Sequence, residues 1–181
     1  KEQKYGFKFR NLNNPSVFYD EVHRRSIEGY RMLFLSFAQN LVTKNNDKAK
    51  AKLVLQKMDE LISLKLFPLD WNLAARVADL YKNVGETESM KKWAKYTIDN
   101  ARTALARNQV MFEIKLYDLM GRYRGPYTVM SDMAYLMKDY NLGEEIINET
   151  ILNAREFANS LQGNPEYSQF YSYITENIPM L

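Results

Sequence analysis

Apolar residues recur at three- and four-residue steps along most of the chain, and this spacing constrains the fold more than any other feature. Ile27, Tyr30, Phe34, Ala38 and Leu41 form the first such series, and comparable series follow it toward the C-terminus. An α-helix has about 3.6 residues per turn, so these steps place the apolar side chains on one helical face. No segment alternates apolar and polar residues for long enough to form a strand. The sequence therefore predicts an all-α fold of about eight helices.

Turn residues divide the apolar series into helices with short connections. The chain has only 7 Gly and 5 Pro in 181 residues, which is too few for the many turns of a β-sandwich or barrel. Ser16 or Asp20 is expected to cap the first helix and Asp70 the third. Gly85 is expected to end the third helix, because glycine accepts the left-handed conformation at the position after the last helical turn without cost. Short loops between amphipathic helices predict antiparallel helical hairpins.

The predicted organisation is a single helical-repeat domain over residues 1–181. It comprises an extended lead-in at 1–15, hairpins at about 19–64, 70–107 and 126–162, an extra helix at about 109–121 and a closing helix at about 165–178.

The hairpins resemble degenerate tetratricopeptide repeats. Such a repeat is a helical hairpin of about 34 residues with small residues where its helices touch and a glycine in its turn. Ala78, Tyr81, Gly85 and Ala94 follow this order well, whereas the hairpins around Ala38 and Ala134 follow it loosely. Their spacing along the chain is irregular. We therefore expect the hairpins to stack as a tetratricopeptide-like right-handed superhelix, with an irregular helical bundle as the alternative.

The residue inventory argues against a catalytic centre. The sequence has no Cys and a single His, His23, so a zinc-thiolate site, a Cys nucleophile and a multi-histidine metal site are excluded. Asp20 and His23 could offer two ligands on one helix face, but a metal site needs more, and a capping or surface role is the simpler interpretation. The glycines form no phosphate-binding loop. We therefore expect no enzymatic activity, no metal and no cofactor from this chain.

The distribution of charge also argues against a polyanionic partner. The formal net charge is +3, and the basic residues are interleaved with acidic ones. A nucleic-acid-binding domain concentrates its basic residues on one face, so nucleic acid is not an expected partner.

No apolar run is long enough to insert into a membrane.

A partner-binding surface is predicted on the first helix of each hairpin. In tetratricopeptide repeats these helices line a concave groove suited to an extended peptide or a partner helix. If Ala78 and Ala134 are the close-packing positions, polar neighbours point into the groove, and the candidate residues are Asn72, Asp79, Lys82, Asn83, Tyr135, Lys138 and Asp139. The alternative is that these residues are simply the solvated faces of their helices.

Three stretches of the sequence look like one protein family. They are Lys4-Tyr5-Gly6-Phe7-Lys8-Phe9-Arg10-Asn11-Leu12-Asn13-Asn14-Pro15 continuing through Phe18-Tyr19-Asp20-Glu21 to Tyr30-Arg31, then Phe67-Pro68-Leu69-Asp70-Trp71 followed by Ala78-Asp79-Leu80-Tyr81 and Gly85, and finally Tyr123-Arg124-Gly125-Pro126-Tyr127. This order resembles the C-terminal soluble region of a family of bacterial multispanning membrane proteins of uncharacterised function, which is similar to protein O-mannosyltransferases. The third stretch departs from the family, which tends to have Asn where Gly125 stands.

The resemblance implies an accessory role in a larger protein. In that family a membrane portion looks like a lipid-sugar-dependent glycosyltransferase and carries the catalytic acids, and a tetratricopeptide-like region follows it. The chain would then be a non-catalytic protein-interaction domain, on the extracytoplasmic (periplasmic) side, that binds an acceptor polypeptide, a partner or the membrane portion of its own parent. A start without Met agrees with such a position. The alternative function is a free-standing tetratricopeptide-type adaptor in a soluble complex.

Overall fold

The computed structural model of the chain describes residues 11–140 and 143–178, with the side chains of Asp139, Gln169 and Asn177 left out. Within these residues the chain forms eight α-helices, a 3₁₀ turn at Lys138–Tyr140 and no β-strand, so the all-α prediction is confirmed. Residues 1–10 of the predicted lead-in lie outside the described part. The helices are α1 Glu21–Thr43, α2 Lys48–Leu61, α3 Trp71–Asn83, α4 Thr87–Ala106, α5 Phe112–Leu119, α6 Pro126–Met137, α7 Glu144–Ser160 and α8 Ser168–Asn177.

Aspartate side chains start the first three helices. The carboxylate of Asp20 accepts a hydrogen bond from the His23 amide at 2.9 Å, and Asp47 accepts one from the Lys50 amide at 2.9 Å. Asp70 accepts from the amides of Asn72 at 2.8 Å and Leu73 at 3.0 Å. These bonds satisfy N–H groups that have no partner inside the helix. Of the two candidates for the first cap, Asp20 rather than Ser16 forms it, and the predicted cap at Asp70 is confirmed.

Glycine and asparagine residues end several helices. Gly85 has φ +83°, which confirms the predicted left-handed residue after α3. Asn108 has φ +51°, and α5 accordingly begins at Phe112, later than the 109 expected from periodicity. A residue with positive φ cannot continue a right-handed helix, so these positions fix the helix boundaries.

The chain divides into two compact units. Among the described residues, the first contains those up to Leu69 together with Leu80–Thr87, and the second contains Asp70–Asp79 and those from Glu88 onward. Helix α3 is therefore divided between them after Asp79. The expectation of a single domain stays a prediction.

The core of the first unit lies between α1 and α2, which pack against each other. Apart from Arg31, the residues that the two helices bury are apolar, and they are Ile27, Leu35, Ala38 and Leu41 on α1 and Ala51, Leu55 and Met58 on α2. Tyr81 is also buried in this unit, and its hydroxyl donates to the Asp59 carboxylate at 3.0 Å. Burial, reinforced by the nearby Asp59 charge, raises the pKa of Tyr81 and keeps it a hydrogen-bond donor.

A buried arginine fixes the loop between α2 and α3. Arg31 is only 2% exposed, and its guanidinium donates to the carbonyl oxygens of Phe67, Ile62 and Ser63. Arg24, on the same side of α1, donates to the Leu66 carbonyl at 2.8 Å. Because buried carbonyl groups need donors, these two side chains hold the loop in one conformation. Two of the stretches that carry the family resemblance thus meet in a structural cluster.

One core cluster of the second unit is built by α5 to α8. Helix α6 packs against α5 and α7, and α7 packs against α8. The buried cluster shared by α5, α6, α7, α8 and their flanking residues consists of Leu116, Leu119, Met120, Tyr127, Ala154, Ala158, Leu161, Ile174 and Ile178. Its rim is aromatic, with the rings of Phe112 and Tyr167 5.1 Å apart and those of Phe112 and Phe157 5.3 Å apart. This packing holds α7 between α6 and α8.

Candidate functional site

A groove of about 560 Å³ in the second unit is the main candidate site. One wall is a face of α4, and the other is the first turn of α7, with the end of α6 between them. The lining residues are Glu88, Lys91, Lys92, Lys95, Ile98, Asp99 and Arg102 from α4, Met137 from α6, and Glu145 and Ile146 from α7. The α4 residues recur at three- and four-residue steps, so one face of a single helix presents them all.

The floor of the groove is apolar. Ile98 is 2% exposed and Met137 is 3% exposed, and Ile146 beside them is half-buried. A methionine side chain is unbranched and adapts its shape to what packs on it. The floor therefore offers contact to an apolar side chain without offering a deep pocket.

Lysines dominate the α4 wall. The Lys91 ammonium lies 3.1 Å from the Glu88 carboxylate and 4.1 Å from the centre of the Tyr140 ring. Lys92 lies next to it, with its ammonium 5.9 Å from the Trp93 ring. Lys95, one turn further along, is exposed and forms no ion pair with any residue in the described ranges. A carboxylate entering the middle of the groove would therefore meet Lys95 without displacing an ion pair.

An ion pair closes one end of the groove. The Arg102 guanidinium donates two hydrogen bonds of 2.7 Å to the Glu149 carboxylate on α7, and a third of 3.0 Å to Asp99. The hydrogen bond from Arg102 to Glu149 raises the pKa of that guanidinium. Arg102 also lines a second cavity of about 430 Å³, whose walls include Leu105, Tyr127 and Phe157. The Arg102–Glu149 pair thus separates two neighbouring cavities along α4 and α7.

The residues predicted for partner binding lie elsewhere. None of the seven lines either of these two cavities. Lys82, Asn83, Tyr135 and Lys138 are exposed, whereas Asn72 and Asp79 are half-buried, and the side chain of Asp139 lies outside the described residues. The Lys138 ammonium is 5.9 Å from the Tyr135 ring, so these two form a local pair. Their role in binding stays a prediction.

The single histidine contacts its neighbouring cap. The Nδ1 atom of His23 lies 2.6 Å from the Asp20 carboxylate, and both side chains are exposed. The hydrogen bond from the His23 amide, aided by this ring contact, lowers the pKa of Asp20. Among the described residues no group of three or more His, Cys, Asp or Glu side chains is placed to hold a metal ion.

A buried carboxylate, Asp118, was missed from the sequence. It is 1% exposed and accepts hydrogen bonds from the amides of Gly125 at 2.9 Å and Tyr127 at 2.7 Å, with a longer contact to the Thr128 amide. These are the first amides of α6, so Asp118 caps α6 from the preceding helix. Burial raises the pKa of the Asp118 carboxyl, although its hydrogen bonds oppose that effect. Asp118 precedes the helix it caps by too many residues for any local capping motif to reveal it.

Gly125 is required by this arrangement. A side-chain carbon added there would lie 2.6 Å from an Asp118 carboxylate oxygen, closer than two such atoms approach. Glycine at this position lets the chain pass over the buried carboxylate, and Pro126 then begins α6. Asp118 and Gly125 therefore have a structural role rather than one in binding.

No helix among the described residues is long and apolar enough to cross a membrane. Comparison with family models, with curated proteins and with solved structures finds no match to this chain.

Proposed function

We propose that the chain is a non-catalytic polypeptide-binding domain and that the groove between α4 and α7 holds an extended segment of its partner. The observation that carries the proposal is the combination of an apolar floor with charged walls in one open cavity. Such a lining can hold a main chain by polar contacts while its apolar side chains pack below.

The length of the groove matches a short extended segment. Lys91 and Arg102 are eleven residues apart on α4, which corresponds to about 16 Å at a rise of 1.5 Å per residue. An extended chain of about five residues spans this length.

We also propose that the hairpins stack in the tetratricopeptide-like manner. The small residues placed at the helix contacts, Ala38, Ala78, Ala94 and Ala134, are all fully buried, as close packing of helices requires. The family resemblance supports a further proposal, namely that the chain is an accessory domain of a membrane-anchored glycosyltransferase-like protein, on its extracytoplasmic side, where the partner would be an acceptor polypeptide or the membrane portion of the parent.

Selection from a random peptide-display library tests the binding proposal. We expect short peptides to be enriched and to bind with measurable affinity by fluorescence anisotropy. Ile146→Trp places a large ring in the groove and should abolish that binding. The matched control is Leu152→Trp on the same helix, because Leu152 is 57% exposed and lines neither cavity.

Two results would contradict the proposal. One is a selection that enriches no peptide. The other is a selected peptide whose affinity is the same for the wild type and for Ile146→Trp, since its site then lies outside the groove. Unchanged circular dichroism of both tryptophan variants is the folding control.

A further inference from the structure

We infer that the groove between α4 and α7 selects an acidic segment, with a carboxylate of the partner bound at Lys95. The inference rests on the proposed polypeptide-binding function and adds the chemistry of the ligand. It depends on which charged groups of the α4 wall already have partners and on where the lysine without an ion pair lies.

Some charged side chains of the α4 wall have ion-pair partners, and Lys95 does not. Of its carboxylates, Glu88 pairs with Lys91, and Asp99 accepts from Arg102. Arg102 is also engaged by Glu149 through two hydrogen bonds. Lys95 lies between these two pairs and has no ion-pair partner in the described part of the chain. The ammonium group without an ion-pair partner therefore lies at the middle of the groove.

The position of Lys95 suits a side chain of an extended segment. Lys95 is one helical turn from Lys91 and Lys92, so a carboxylate bound there lies in the field of three ammonium groups. Side chains of an extended chain alternate between its two sides. When an acidic side chain faces Lys95, its neighbours along the segment therefore face the floor at Ile98 or the opposite wall at α7.

The opposite wall limits how much negative charge the ligand can carry. Glu145 lines the groove from α7, and Glu88 and Asp99 stand on the α4 side. A continuous polyanion such as single-stranded RNA would place phosphates against these carboxylates and be repelled. The lining thus favours alternation of acidic with apolar residues, in which the acidic ones share one side.

Three short, terminally blocked and fluorescein-labelled peptides of about six residues test the inference. Leucine alternates with glutamate in the first, with glutamine in the second and with lysine in the third. At low salt we expect the glutamate peptide to bind roughly two- to fivefold more tightly than the glutamine peptide, the range expected for an exposed charge pair, and the lysine peptide to bind most weakly. The preference for glutamate should shrink at high salt, because exposed charges are screened.

Variants of Lys95 test whether the preference for the glutamate peptide depends on this residue. Lys95→Glu should remove or reverse the preference for the glutamate peptide, and the neutral Lys95→Gln should remove it without adding repulsion. The matched control is Lys48→Glu, which makes the same change of charge at an exposed position of α2 in the first unit and places an acidic residue in the first turn of a helix, where the helix dipole favours it. It should leave the preference intact.

The outcomes separate this inference from the function on which it rests. If glutamate and glutamine peptides bind equally well and Ile146→Trp abolishes both, the groove binds polypeptide but the acidic preference is refuted. If Lys48→Glu weakens the glutamate peptide as much as Lys95→Glu, the attraction is a property of the net charge and the inference also fails. If no peptide binds, or if Ile146→Trp has no effect on binding, the proposed function fails as well. Binding of single-stranded RNA in preference to the glutamate peptide would refute the polypeptide ligand.

Discussion

Replacing Asp118 by alanine should strongly destabilise the second unit. The change removes the acceptor for the amides of Gly125 and Tyr127 at the start of α6, which now bond to the carboxylate at 2.9 and 2.7 Å. The Gly125 amide also donates to the Tyr123 carbonyl at 3.1 Å. Both amides are buried with their residues Gly125 and Tyr127, so water cannot replace the lost acceptor. The Tyr127 amide is left unsatisfied, which costs about 1–3 kcal/mol, and the lost bond to Gly125 adds about 0.5–1.5 kcal/mol, so we expect a loss of about 2–4 kcal/mol in the free energy of unfolding.

Replacing Asp118 by asparagine keeps the shape of the side chain but removes its charge. Asp118→Asn keeps one oxygen acceptor in the same place, but its amide group cannot accept the second hydrogen bond. We expect a smaller loss, about 1–2 kcal/mol. The measurement is urea unfolding followed by far-ultraviolet circular dichroism, with the transition of each variant compared with that of the wild type.

Asp132 provides the matched control. It lies on α6, is exposed, and accepts hydrogen bonds from Arg124, the shorter at 2.8 Å. Asp132→Ala therefore removes an aspartate from the same region but breaks only a surface ion pair, which contributes about 0–1 kcal/mol. If Asp118→Ala costs no more than Asp132→Ala, the assignment of Asp118 as the cap of α6 is wrong.

The same residue should make stability depend on pH. Burial raises the pKa of Asp118 in the folded protein above the ordinary 3.8. The folded state therefore holds this proton more tightly than the unfolded state does. The resulting stabilisation is complete below the ordinary pKa and is lost as pH rises through the folded-state pKa. The stability of the wild type relative to Asp118→Asn should fall across that interval. A rise instead would show that the hydrogen bonds of Asp118 outweigh its burial.

Two further substitutions have matched controls within the chain. Gly143→Ala places a side-chain carbon 2.2 Å from the Ala134 carbonyl oxygen and should lower the unfolding free energy by more than about 2 kcal/mol, whereas Gly29→Ala has open space on α1 and should raise it by roughly 0.5–1 kcal/mol. Arg31→Leu removes the donor for three loop carbonyls and should cost about 2–4 kcal/mol, whereas Arg25→Leu breaks only an exposed pair and should cost under about 1 kcal/mol. Urea unfolding measures all four, and equal losses within either pair would contradict the packing described for it.

The positions of the helices could be predicted from the sequence, because the residues that start and end a helix lie within a few positions of its ends. Asp70 caps α3 through amides two and three residues away, and Gly85 ends it by its own backbone conformation. The apolar steps along α1 and α4 likewise reflect the geometry of a single helix. The all-α fold and the cap at Asp70 could therefore be derived without knowing which helices meet, and the cap of α1 could be narrowed to Ser16 or Asp20.

The candidate site could not be derived in this way, because its parts come from distant segments. Arg102 and Glu149 are separated by 47 residues, and the lysines of α4 form a groove only because α7 lies opposite them. On the sequence alone, Lys91, Lys92 and Lys95 are the solvated face of a helix. The same holds for Asp118 and Arg31, whose buried charges are compatible with folding only because backbone groups of other segments surround them. The spacing of residues along the sequence determined the helices of this protein, whereas tertiary packing determined the groove and the burial of the charged residues. The reason is that the sequence of one helix does not show which groups another helix places against it.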